Sequence, residues 1–335
     1  MNYIGSKNSL LSFIDDSIKE ITNYKDSDSW VFTDLFAGTG VVGNFYKKKG
    51  WTVYSNDFQT YSYIVNKHYI ENNSEKIDAS LFEYLNNLNE VEGFIYQNYC
   101  YGSGSGRKYF SDQNGKKCDA IRLKIEQLYK DGNINESSYY FYLGSLINSI
   151  DKYANTASVY GAFLKKIKTT AQKSFVLEPL EVIDNKIGKV FQLDANELIK
   201  KIKGDVLYLD PPYNSRQYYS NYHVLETIAK YDNPLLKGKT GQRANNSQRS
   251  DFCLKNKVSE AFENLIANAN FKYIFLSYND EGLMSIETIK EIMSKYGEYS
   301  YKTRNYKRYQ ADKSHNRNIL RKGTIEYLHC LKKTK

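Results

Sequence analysis

Cysteine is scarce in this chain of 335 residues, and its four copies, Cys100, Cys118, Cys253 and Cys330, stand far apart. None forms a Cys-x-x-Cys pair, so neither a zinc site nor a disulfide framework is supported, and a reducing cytoplasm is the natural compartment. Histidine is as rare: His68, His223, His315 and His329 lack metal-ligand spacing, and no metal is expected. His223 reads as a structural residue at a helix start. No apolar run approaches the roughly 18 residues of a membrane span. The first residues carry no charged segment followed by a long apolar run, so they do not read as a signal peptide. No internal repeat is present.

What the chain does have is an excess of positive charge and of tyrosine. Its 47 basic and 38 acidic residues leave a formal net charge of +9, which suits a polyanionic partner. The 32 Tyr and 16 Phe, interleaved with Lys and Asn, suit a surface that stacks on bases. The bias of an A+T-rich genome toward Lys, Asn, Tyr and Ile codons explains most of the excess. A hydrophobic content of 41% still allows a proper core, and the length accommodates one large or two modest domains.

Two short motifs carry chemistry. The apolar run Val206-Leu207-Tyr208-Leu209 ends in Asp210-Pro211-Pro212-Tyr213. A carboxylate and a prolyl carbonyl can each accept a hydrogen bond from an amino group, while the tyrosine offers a stacking face. That combination grips a flat, amino-bearing ring and points to methyl transfer onto the exocyclic amine of a nucleobase. A strand end with a Pro-Pro stop is the plain alternative. The strand-like run Trp30–Phe36 leads into glycines at 38, 40 and 43, which permit a tight turn and close backbone approach to a ligand. Asp57 follows Gly38 by 19 positions, placed to hold ribose hydroxyls. This second motif fits a dinucleotide or an S-adenosylmethionine (AdoMet) site.

Strand-like runs fall near 30–36, 51–56, 189–193, 205–210, 271–277, 298–305 and 322–331. With intervening helices they predict an α/β sheet wound on both faces, its last two strands forming an antiparallel hairpin at one edge. Between 72 and 185 the alternation stops. Helical stretches near 77–89, 118–131 and 136–150 predict an inserted, mainly helical domain, flanked by a catalytic domain made of 1–71 and 186–335. Lys116, Lys117, Arg122, Lys124, Lys165, Lys166, Lys168 and Lys173 give the insert a basic face, so it reads as a DNA target-recognition domain or as a solvated helical subdomain. The polar loop 236–249 is expected to be mobile without substrate and to grip DNA.

Asn2-Tyr3-Ile4-Gly5-Ser6-Lys7, Asp34-Leu35-Phe36-Ala37-Gly38-Thr39-Gly40 and Asp210-Pro211-Pro212-Tyr213 occur in that order. Together with Ser277-Tyr278-Asn279 and Tyr306-Lys307-Arg308-Tyr309, they resemble the Dam-like (alpha) group of DNA adenine-N6 methyltransferases, which includes enzymes of type II restriction-modification systems. The resemblance implies a Rossmann-like seven-stranded AdoMet-dependent sheet. It implies AdoMet contacts from Tyr3, Lys7, Phe36, Gly38, Gly40, Asp57, Asp194 and Asp210, and catalysis by Asp210, Pro211, Pro212 and Tyr213. The group often carries Trp where Tyr3 stands; the aromatic face is kept. The expected partner is double-stranded DNA, contacted through Arg107, Lys108, Tyr160, Lys165, Arg216, Arg243, Lys307, Arg308 and Tyr309. A cognate restriction endonuclease would be encoded separately, and a monomer is expected rather than an obligate oligomer.

The expected reaction is methylation of N6 of a flipped adenine. Cytosine-N4 or RNA base methylation uses similar chemistry, although Asp at the first loop position favours adenine by the resemblance. A nicotinamide-dependent oxidoreductase could use the glycine turn but leaves 210–213 unexplained. A DNA-binding module with a vestigial cofactor fold would need a broken motif, and every motif position is intact.

Overall fold

The computed structural model describes residues 5–25, 27–72, 78–244, 249–306 and 324–334. Strands run at β1 (Val31–Asp34), β2 (Thr52–Asn56), β3 (Lys189–Phe191), β4 (Lys203–Leu209), β5 (Leu236–Lys237), β6 (Gln242–Arg243), β7 (Asn270–Asn279), β8 (Gly297–Tyr306) and β9 (Thr324–Lys333). Seven of them form one sheet in the order β3-β2-β1-β4-β7-β9-β8. The first five in that order are parallel; β9 is antiparallel to β7, and β8 to β9. The α/β sheet read from the apolar runs, edge hairpin included, and the Rossmann-like seven-stranded form that the resemblance implied are therefore present.

Burial explains why the central strand reads so clearly. Val206, Leu207, Tyr208 and Leu209 of β4 are all fully buried, as a strand between parallel neighbours with both faces covered must be. The chain builds outward from β1 through β2 to β3, then returns to lay β4 on the other side of β1. That reversal is a topological switch point, and ligands of open α/β sheets sit beyond the carboxyl ends of strands there.

The chain divides into two compact units. The sheet unit comprises Gly5–Phe58, Asn185–Gln217 and Gln248–Lys335. The helical unit is built mainly from Gln59–Asp184 and Tyr218–Ser247, so it takes in more than the expected 72–185. Its hydrogen bonds give the reason. Arg122, in the helix Asp112–Lys130, is buried and donates to the carbonyls of Ile228 (3.0 Å) and Ala229 (3.1 Å). It thereby closes the carboxyl end of the helix His223–Lys230. Glu226 of that helix accepts the Tyr61 N–H at 3.1 Å. Asp119 accepts the N–H groups of Ile95 (2.9 Å) and Tyr96 (2.8 Å) and the Tyr231 hydroxyl (2.6 Å). Residues before 72 and after 218 are thus bonded into one helical core.

Several of the tyrosines serve the core. Tyr46, Tyr61, Tyr99, Tyr109, Tyr160, Tyr208, Tyr222 and Tyr278 are among the largest fully buried side chains. His223 begins its helix, as read from the sequence, and is 1% exposed.

Candidate active site

The site is assembled at the carboxyl ends of β1, β2 and β4. Gly38 and Gly40 adopt left-handed φ values of 52° and 76°, so the chain can leave β1 and enter the helix Val41–Lys48 within one turn. The Ala37 N–H donates to the Asn56 carbonyl at 2.9 Å, and the Gly40 N–H to the Ala37 carbonyl at 2.8 Å. Buried Asn56 fastens the three strand ends together: its Nδ2 donates to the carbonyls of Leu35 and Leu193, each at 3.1 Å, and its Oδ1 accepts the Leu193 N–H at 3.0 Å. Asp57 Oδ2 accepts the Gly38 N–H at 2.8 Å. The acidic residue and the glycine turn paired in the sequence are therefore bonded directly.

Asp210 lies just beyond β4. Its Oδ1 is 3.0 Å from the ammonium of Lys7, which is only 5% exposed. The same ammonium is 3.3 Å from Glu326 Oε1 on β9. The Ser277 hydroxyl on β7 donates to that Glu326 oxygen at 2.6 Å. One buried cation thus holds two carboxylates, and burial alone would push its proton off. Asp210 and Glu326 more than offset this and keep the Lys7 pKa well above the usual value. Burial pushes Asp210 up to about 6; Lys7 opposes the rise and Glu326 adds to it.

Asp34, at the end of β1, is 1% exposed. Its Oδ2 accepts the Gly43 N–H at 3.2 Å, and its Oδ1 has no partner among the described residues. Burial, then the charge of Asp210, raise it to about 8, so its neutral form dominates at pH 7. Carboxylates outnumber the one ammonium here and repel each other. Such a donor set suits a ligand that brings positive charge.

An aromatic wall stands beside the ion pair. The Tyr213 ring meets Tyr278 edge-on, with centroids 6.3 Å apart, and the Lys7 ammonium is 5.8 Å from the Tyr213 centroid. The Tyr213 carbonyl accepts the Leu283 N–H at 3.1 Å, which fixes the loop after the two prolines. Pro211 is buried and Pro212 half-buried. Phe36 packs edge-on against Phe252 at 5.0 Å.

The structure brings together Lys7, Phe36, Gly38, Gly40, Asp57 and 210–213. Asp194 is exposed and caps the short helix Ala195–Leu198 by accepting the Asn196 N–H at 2.9 Å. Arg216 and Lys165 are exposed, and Lys108 lies over the Tyr101 ring at 4.7 Å. Three residues expected on a DNA surface are otherwise engaged. Tyr160 is fully buried and donates its hydroxyl to Asp151 at 2.8 Å. Arg243 forks onto Asp232 at 2.8 and 2.5 Å. Arg107 donates to backbone carbonyls of Asn98, Gly238 and Lys239. Arg122 and Lys117 are likewise bonded within their unit. Tyr3, Lys307, Arg308 and Tyr309 lie outside the described residues.

Glu326 was not anticipated. Its signal was a lone carboxylate in the otherwise largely apolar strand Ile325–Leu331. Asp34 was quoted in its motif without a role, although a buried acid at a strand end needs one.

The sequence profile of the D12 class N6 adenine-specific DNA methyltransferases matches residues 3–292. The chain is 51% identical to the type II methyltransferase M.NlaIII of Neisseria lactamica, over the full length of both. It is 42% identical to the type II methyltransferase M.FokI of Planomicrobium okeanokoites and 40% identical to the modification methylase StsI of Streptococcus sanguinis, with 89% and 93% of this chain aligned. The chain spans about half of those two proteins, 47% and 49%.

Proposed function

This chain belongs to the D12 class N6 adenine-specific DNA methyltransferases, and from that premise we propose that it draws its methyl group from AdoMet and serves as the modification arm of a type II restriction-modification system acting on duplex DNA. It is an enzyme that methylates adenine N6 in DNA, and the cytosine-N4, RNA and nicotinamide readings are set aside. A separately encoded endonuclease completes the proposed system. AdoMet supplies an electrophilic methyl group carried on a sulfonium. The carboxylates of Asp210 and Glu326 outnumber the one ammonium of Lys7, which suits that cation, while Asp34 is neutral beside them. The turn at Gly38 and Gly40 and Phe36 would approach the cofactor, Asp57 would hold its ribose, and Tyr3, Lys7 and Asp194 would complete the contacts.

The observation that carries the catalytic assignment is the Lys7–Asp210 ion pair at the switch point. The lone pair of adenine N6 is delocalised into the ring, so it must be turned out of conjugation. With the base flipped from the duplex, the Asp210 carboxylate accepts one N6–H and the Pro211 carbonyl accepts the other. That fixes the amine's orientation and stabilises the positive charge that grows on nitrogen. The surplus proton leaves to water after the C–N bond has formed. Tyr213, backed by Tyr278, stacks on the ring. Duplex oligonucleotides incubated with tritiated AdoMet should yield labelled N6-methyladenine on nucleoside analysis; label confined to cytosine or to RNA would overturn the reading.

Two expectations follow at the residue level. Tyr213→Ala should slow turnover, because base stacking on an aromatic contributes roughly 1–3 kcal/mol, whereas Tyr213→Phe should largely keep it. Equal damage from both in single-turnover assays would assign the work to the hydroxyl instead. Asp210 acts as its carboxylate, and its pKa stands near 6, so the rate should fall as pH drops through an acid limb. Glu326 raises that pKa. Glu326→Gln should therefore move the limb to lower pH, by about one unit for a removed neighbouring charge. A limb that stays in place would show that Glu326 does not act on Asp210.

A further inference from the structure

The ribbon β5–β6 presents a four-residue tip, Gly238-Lys239-Thr240-Gly241, and every carbonyl of that tip is met by a side chain of the helical unit. Arg107 donates to Gly238 and Lys239, each at 3.3 Å. His223 places Nε2 2.8 Å from the Thr240 carbonyl, and the Tyr109 hydroxyl lies 3.1 Å from the same oxygen. The Tyr99 hydroxyl donates to Gly241 at 2.9 Å. Tyr99, Tyr109 and His223 are all buried. Burial lowers the His223 pKa, and the Thr240 and Ser220 carbonyls, which face its two ring nitrogens, oppose that fall. In the loop expected to be mobile, the described part accepts hydrogen bonds from four side chains.

Such support is out of proportion to a ribbon with two residues per strand. The carbonyls of the tip are all taken up by these side chains. Lys237 and Lys239 are exposed, and neither has an ion-pair partner among the described residues. The segment 234–244 contains no acidic residue. Gly238 and Gly241 adopt φ values of 68° and 67°, left-handed positions that a side chain would strain. The result is a braced, cationic tip with Gly238 and Lys239 exposed, whose chemistry matches a phosphodiester.

We propose that the Gly238–Gly241 tip is a preformed clasp for the DNA backbone, with Lys239 as its charged contact and Arg107 as the residue that holds its shape. This deepens the reading of duplex DNA as substrate and rests on it. Arg107 acts through the ribbon and is not itself a phosphate contact. The clasp contributes affinity without reading sequence.

The test is a salt titration of duplex binding by the full chain. Lys239→Gln should reduce the slope of log affinity against log salt by about one and weaken binding equally for specific and unrelated duplexes. Gly241→Ala should weaken binding at least about fivefold with Lys239 still present, because a Cβ there would stand 2.6 Å from Arg107 Nε. AdoMet affinity should be unchanged in both variants. A wild-type slope in Lys239→Gln, or wild-type affinity in Gly241→Ala, overturns the clasp. An unaltered chain that binds no duplex overturns the substrate reading itself.

Discussion

Asp210→Ala should lose at least about 100-fold in single-turnover rate, the scale expected when one preorganised polar group is removed from a reacting centre, and yet fold at least as stably as the parent. The two halves have one cause. Asp210 stands near pH 6 because burial opposes its charge. A carboxyl whose folded pKa is raised favours folding below its unfolded pKa, and that contribution is lost as pH rises through the folded value. At neutral pH the ionised group is therefore held at a cost to the fold. Its removal does not orphan Lys7, whose ammonium still has Glu326 at 3.3 Å. Activity and stability should thus move in opposite directions, the pattern of a residue retained for chemistry. Denaturant unfolding at pH 7 beside a single-turnover assay decides it. A variant that turns over normally removes Asp210 from the mechanism. One that is both inactive and markedly less stable would make Asp210 a structural ion-pair partner first.

The sheet was legible because its signals are local. Apolar runs buried on both faces, such as 206–209, stand out from a chain this polar, and the motifs at their ends mark the carboxyl edge. The convergence of Gly38, Asp57 and Asp210 followed from topology, since strand ends at a switch point share one side. The helical unit was less legible. The segments 59–71 and 218–230 belong to it through Tyr61, Glu226 and Arg122, contacts between residues far apart in the chain. Residue type also misled. Arg107, Arg122, Arg243 and Tyr160 look like a nucleic-acid surface, yet three guanidinium groups are bonded within the protein and the tyrosine is in the core. A long cationic side chain can close a helix or brace a ribbon as readily as it can meet a phosphate. Composition cannot separate these uses, because they differ only in which carbonyl or carboxylate lies within reach.

Lys7→Met carries the other large effect, and pH separates its two parts. The substitution keeps bulk but leaves Asp210 and Glu326 facing each other without a cation. Breaking a buried pair in this way costs about 3–5 kcal/mol. The Lys7 pKa is raised above its unfolded value, so its contribution is full at every pH below about 10.5 and fades only as pH climbs through the folded value. The whole deficit is therefore present at pH 8. It should shrink toward pH 5, because Asp210, already near 6 with the ammonium beside it, rises further without it and protonates. Activity should run the other way. A protonated Asp210 cannot accept the adenine amine as a carboxylate, so the residual rate at pH 7 should be low and should recover partly as the pH is raised. Urea unfolding and single-turnover rates between pH 5 and 9, taken relative to the parent, would display opposite slopes. Parallel slopes would mean that Lys7 supports the fold without setting the charge of Asp210, and the ion pair at the switch point would lose its place in the catalytic argument.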